Sequence, residues 1–186
     1  MKIVFLDIDG VLNNLRHTRM LDEKGLGNGF GDHGALRRGE FTKATVGFDP
    51  LSVYAFQRLL EDTDALTVVS STWRINYSPE QLRSLFKPFN CNPRIFDVTP
   101  GGGGFRGKQV EQWLTTHPSV ESFVCLDDDT DFHPHQSLVQ TDAEVGLTIR
   151  GFRTARNILN NNIHGLHVYA DGSRQRDLNS IGPHEG

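Results

Sequence analysis

The sequence predicts an α/β sandwich built around a mainly parallel sheet. Two observations carry this reading. Apolar, strand-like runs alternate with segments of helical period, and three of those runs, "KIVFL", "ALTVV" and "SFVCL", end in chemically loaded residues, "DID", "SST" and "DDD". Strands that alternate with helices imply parallel crossovers. In such open sheets ligands bind beyond the carboxyl ends of the strands.

The 186 residues suit one main domain with room for insertions. A hydrophobic content of 37% and a charged content of 23% are those of a globular chain. No apolar stretch approaches the ~20 residues needed to span a bilayer, and the opening "MKIVFLDIDG" holds too few apolar residues for a secretory signal. A soluble protein with no membrane partner is therefore expected. Two cysteines, Cys91 and Cys125, are too few for a disulfide framework and lie in no CxxC pattern, which points to a reducing, cytoplasmic setting. The net charge of -4 argues against nucleic-acid binding by blanket phosphate neutralisation. It leaves room for a local basic cleft from "RHTR", "LRR" or "FRGK".

Taken in order, residues 2 to 6 are a β-branched and aromatic run that reads as a strand buried on both faces. Residues 13 to 47 then lose periodicity and hold seven of the 19 glycines, a composition expected of a flexible insertion outside the core. In "FDPLSVYAFQRLLEDT", Asp49 caps a helix with Pro50 in its first turn, and Val53, Phe56, Leu59 and Leu60 recur at helical spacing. "ALTVVSSTWR" is an apolar strand ending in hydroxyl residues. Ser78 and Pro79 open a second helix. "GKQVEQWLTTH" puts Val110, Trp113 and Leu114 on one helical face and leads into "SFVCLDDD", a third apolar strand. "SLVQTD" is a candidate fourth strand, and "TARNILNNNI" a closing helix. From Asp171 the chain lacks apolar period and is expected to be a loose tail, residues 171–186.

Asp7 and Asp9, two apart, would share one face of an ideal strand, and Gly10 frees the chain to turn. Paired carboxylates repel, and the remedies are a shared proton or a cation. A second acid cluster, Asp127, Asp128 and Asp129, at another strand end favours the cation. An all-oxygen ligand set suits Mg²⁺, which takes a few carboxylates beside substrate phosphate. Ser70 and Ser71 offer hydroxyls and strand-end N–H groups for phosphate oxygens, with neither singled out by spacing. Arg106 and Lys108, rivals for one role, stand at a predicted helix start where an anion is attracted. Arg74 is either a substrate clamp or a surface group. Together these residues suggest phosphoryl transfer.

"FLDIDGVL" resembles motif I of the haloacid dehalogenase (HAD) superfamily, hhhhDxDG; "LTVVSS" resembles motif II, "GKQVEQWL" the motif III region, and "FVCLDDD" the hhhhDD form of motif IV. Within the superfamily, the chain looks most like the small HAD domains associated with Swiss Army Knife RNA-repair proteins. The resemblance implies a Rossmann-like three-layer α/β/α sandwich over residues 1–170, with 13–47 as a small C1 cap or flap. It implies that Asp7 is the nucleophile and Asp9 the general acid and base, with its backbone carbonyl on the metal. Asp128 and Asp127 would bind Mg²⁺ together with Asp7, Ser70 would bind the phosphoryl group, and Lys108 would neutralise developing charge. The activity implied is that of a phosphatase. Its substrate would be a phosphate monoester, first a nucleotide or polynucleotide end, with a small-metabolite ester or a non-catalytic phosphate-sensing module as alternatives.

The insertion would either close over the site, offering Arg16, His17 or Arg19 to substrate, or leave the site open to a large one. His17, His33, His133 and His135 sit in polar segments and read as surface residues beside hard oxygen ligands. Trp73 and Trp113 read as core.

Overall fold

Strand β1 (Lys2–Leu6) lies between β2 (Leu66–Val69) and β4 (Ser122–Asp127), and all three run parallel. Its side chains alternate between faces: Ile3 and Phe5 join one apolar cluster, Val4 and Leu6 the other. Being covered on both sides is what a continuous apolar run requires. The computed structural model describes residues 1–26, 30–101 and 104–177. Its seven-stranded sheet has the order β3-β2-β1-β4-β5-β6-β7, with β3 (Ile95–Val98), β5 (Leu138–Gln140) and β6 (Leu166–Val168) parallel and β7 (Arg174–Arg176) antiparallel. The predicted Rossmann-like three-layer α/β/α sandwich is the observed fold. The chain winds outward from β1 through β2 to β3, then returns to the other side of β1 as β4. The crevice between the ends of β1 and β4 is therefore the topological switch point.

Helix α4 (Pro50–Thr63) is capped by Asp49, whose carboxylate accepts from Leu51 N, and it buries Val53, Phe56, Leu59 and Leu60. Helix α5 (Pro79–Ser84) begins with a reciprocal capping box between Ser78 and Gln81. Both pack on the Val4 face with α7 (Ile149–Asn160), which is capped by Thr148 and starts earlier than the expected "TARNILNNNI". On the other face, α6 (Arg106–Thr115) lays Val110 and Trp113 against Phe5 and Phe123. Among the described residues no helix is long and apolar enough to cross a membrane.

Two expectations are corrected. The 13–47 segment contains α1 (Leu15–Glu23), α2 (His33–Arg37) and α3 (Lys43–Val46), and Leu36 and Val46 are fully buried in the same cluster as α4. Helices this short bury one or two residues each, so no periodic pattern can develop. The expected tail also starts later: Arg174–Arg176 pair with Leu166–Val168 through backbone alone, their side chains all exposed, and residues 178–186 lie outside the described residues. Since Leu36 belongs to the main core, Leu36→Ala is expected to cost about 2–5 kcal/mol in urea unfolding. A change within about 0.5 kcal/mol would show instead that the insertion is independent of that core.

Candidate active site

Asp7 extends β1 by one residue, its N–H donating to Leu126 O of β4 at 3.0 Å. Asp127 closes β4, and its carbonyl accepts from Thr141 N at 2.9 Å. The parallel ladder thus sets both acids side by side at the switch point. Beyond Asp7 the chain coils tightly, with Ile8 O accepting from the N–H groups of Val11, Leu12 and Asn13. Gly10 makes this possible twice over. Its φ is +72°, and a Cβ there would stand 2.4 Å from Asp128 Cγ. The third acid therefore approaches only because residue 10 has no side chain.

Carboxylate oxygens of Asp7, Asp127 and Asp128 all lie within 4.8 Å of one another. Burial pushes all three pKa values up. For Asp127 the value reaches about 8, with Asp7 as the next cause; for Asp128 the charge of Asp7 likewise adds to burial. For Asp7, burial is opposed by Arg106 and by a hydrogen bond from the Ser71 hydroxyl. Asp127 is 1% exposed, and its Oδ2 has no hydrogen-bond partner. A buried carboxylate oxygen without a hydrogen bond, beside two further acids, is the donor set of a cation site.

Asp9 stands outside this triad. Its Oδ1 accepts from Asn13 Nδ2 at 2.8 Å and its Oδ2 from Trp73 Nε1 at 3.0 Å. The expected sharing of one strand face by Asp7 and Asp9 is corrected, because the strand ends at the first of them. Any contact of Asp9 with a cation is left to its backbone carbonyl.

The cation facing the acids is Arg106. Its Nη1 donates to Asp7 Oδ1 at 3.0 Å and to Ser70 O, and its Nε lies 3.6 Å from Asp127 Oδ2. Burial alone would lower its pKa, but Asp127 and Asp7 hold it raised. Lys108 is exposed; two residues further along α6, it projects from the other side of the helix. Between the two serines the geometry also discriminates. The Ser71 side chain acts to lower the pKa of Asp7, whereas Ser70 presents its carbonyl to Arg106 and Arg74. Arg74 is committed elsewhere: it donates to the carbonyls of Ser70, Ser71, Thr99 and Pro100 and to Gln109 Oε1. These contacts use all of a guanidinium's N–H groups, so Arg74 braces the strand ends instead of offering a free clamp.

Phe105 gives α6 no side-chain cap. Asp131, from the loop after β4, accepts from Arg106 N at 2.7 Å in its place. That loop can sit on α6 because Gly107 is there, where a Cβ would be 2.6 Å from Gln136 Oε1 and 2.9 Å from Phe132 Cα. An open cleft of about 230 Å³ leads in beside Arg106, with Thr72, Ile75 and Gly104 in its walls. In the insertion, Arg19 pairs with Glu144, Arg16 N donates to Glu144 O, and the pKa of His17 is lowered by burial. The sequence does not single out Asn13, and it reads Trp73 as core and Asp131 as an acid of a loop or helix cap. The adjacent "NN" after "DGVL" was the one available hint, two fully buried amides in an otherwise apolar turn.

A family model described as the HAD domain in Swiss Army Knife RNA repair proteins matches residues 3–151. The chain belongs to this family. Comparison with curated proteins and with solved structures found no match. Membership as a HAD domain supports a phosphohydrolase-type function, and the matched span contains the triad, Asp9, Ser71 and Arg106.

The electrostatics of this HAD domain carry a pH prediction. Each triad acid binds its proton more tightly in the folded chain than at the ordinary value of 3.8. The folded state therefore holds more protons than the unfolded one between about pH 4 and 8, and stability falls as pH rises through that window. Thermal melts in chelator should drop between pH 5 and 8, and added Mg²⁺ should restore them most at the alkaline end. Melts indifferent to both pH and cation would contradict the cation-site assignment.

Proposed function

We propose that this HAD domain is a Mg²⁺-dependent phosphatase that hydrolyses a phosphate monoester through an aspartyl-phosphate at Asp7, on nucleic-acid ends or nucleotides. The observation that carries the reading is the division of labour among the acids: Asp7 lies in the triad with Arg106 across it, and Asp9 is held apart by two neutral donors. Asp7, Asp127 and Asp128 would hold the cation, which supplies positive charge against the phosphoryl oxygens; an all-carboxylate set favours Mg²⁺.

In the first step a carboxylate oxygen of Asp7 forms a bond to phosphorus while the bond from phosphorus to the leaving oxygen breaks, and Asp9 gives that oxygen a proton. In the second, water attacks the phosphorus of the acyl phosphate, Asp9 takes the proton of that water, and inorganic phosphate leaves with Asp7 restored. Arg106 fixes Asp7 and places its guanidinium where charge accumulates, and Ser71 holds Asp7 from the other side. Lys108, exposed on α6, is left to meet a larger substrate's charge. The nucleic-acid preference rests on the family's description and on the open cleft beside Arg106. Two buried, free cysteines, Cys91 and Cys125, fit a cytoplasmic setting.

Wild-type protein with Mg²⁺ is expected to release phosphate from a 3'-phosphorylated oligonucleotide. Asp7→Asn should lower this by more than about 10³-fold and Arg106→Gln by about 10²-fold. Turnover confined to sugar phosphates would replace the nucleic-acid reading with a small-metabolite phosphatase. Binding of phosphate esters without hydrolysis of any would leave a sensing module.

A further inference from the structure

Both acids of "DID" are tied to one short stretch, "SSTW". The Ser71 side chain acts to lower the pKa of Asp7, and the 3₁₀ turn that begins at Thr72 carries Trp73, whose indole N–H donates to Asp9 Oδ2 at 3.0 Å. Trp73 is 3% exposed, so the N–H needs a partner inside the protein. It takes the proposed proton carrier instead of a carbonyl.

The insertion packs against the indole. The His33 ring of α2 lies 4.7 Å from it, and His33 Nδ1 is 2.7 Å from the hydroxyl of Tyr77, whose ring stacks on His33 and also lies 5.6 Å from the indole. At Gly31, also in the insertion, an added Cβ would come within 3.2 Å of the indole Cη2. Asn13, at the first residue of the same segment, holds the other oxygen of Asp9.

We infer that Trp73 is a positioning residue for Asp9, and that the 13–47 insertion acts on the reaction by clamping this indole. Indole N–H is donor-only, so it fixes the carboxylate's rotation without exchanging protons with it. One lone pair of each oxygen is taken by a neutral donor, and the other stays available. The inference rests on Asp9 serving as the proton carrier proposed above.

The test exploits the leaving group. An alkoxide departs only with its proton delivered, whereas 4-nitrophenolate departs without one, so misaligning Asp9 penalises the alkyl ester selectively. Trp73→Phe keeps the ring and removes the donor. The ratio of kcat/KM for a 3'-phosphorylated oligonucleotide to that for 4-nitrophenyl phosphate is expected to fall about tenfold or more; kcat/KM stops at leaving-group departure, so later hydrolysis does not blur it. An unchanged ratio, as a purely structural role would give, overturns the inference. Should Trp73→Phe not fold, Tyr77→Phe decides: it releases His33 and should lower the same ratio about two- to fivefold, and an unchanged ratio there overturns the clamp. Failure of the phosphatase reading is seen separately, as wild-type protein that hydrolyses neither ester or as Asp7→Asn that still hydrolyses both.

Discussion

Three carboxylates brought within 4.8 Å of one another in a buried crevice are the constraint to which the rest of the site answers. At an effective dielectric near 20, two unit charges 4 Å apart repel by about 4 kcal/mol, and burial adds a desolvation cost for each. One guanidinium, reaching both Asp7 and Asp127, offsets part of this. It works because it cannot drift. Its side chain is also bonded to Ser70 O, its backbone N–H is held by Asp131, and Arg74 grips the same Ser70 carbonyl while bonding Gln109 on α6. Two arginines thus lock α6 to the ends of β1 and β2. The remaining charge imbalance is what a divalent cation would complete.

Holding charge this densely demands close backbone approach. Gly10 admits Asp128, and Thr141 Oγ1 donates to the Gly10 carbonyl at 2.8 Å. The following residues are anchored as firmly: Asn14 Nδ2 bridges the Asp49 carboxylate at 2.8 Å and Val145 O at 3.1 Å. The insertion that departs from this point is consequently rooted at both ends, and its buried Leu36 and Val46 root its middle. Its position beside Trp73 makes it part of the scaffold of Asp9. Its cations reach the site little, since Arg19 is spent on Glu144.

Much of this was legible because strands buried on both faces leave an unmistakable apolar run, and an acid at the end of such a run has few structural reasons to be there. The caps at Asp49 and Ser78 were likewise local chemistry, readable from four residues. Three-residue strands such as β6 and β7 are too short to show a period, and the side chains of β7 are all exposed. Arg106 and Lys108 differ by about 200° of helix phase, and phase is known only once the first turn is placed. Ser70 and Ser71 pose the same problem at a strand end. Trp73 was hidden for another reason: burial predicts the ring's position and says nothing about where its N–H points.

The separation of Asp9 from the triad has a chemical logic that adjacency in sequence concealed. A fourth carboxylate inside the crevice would add to the repulsion that Arg106 already struggles to offset, and its protonation would be tied to whatever cation the other three hold. Ending β1 at Asp7 and coiling through Gly10 turns Asp9 toward Asn13 and Trp73, two neutral donors that orient it without altering the local charge. Two carboxylates with unlike surroundings can then take unlike roles. On the proposed mechanism the nucleophile would lie beside the cation and Arg106, with the proton carrier apart from both. One residue of spacing and one glycine suffice to make that division.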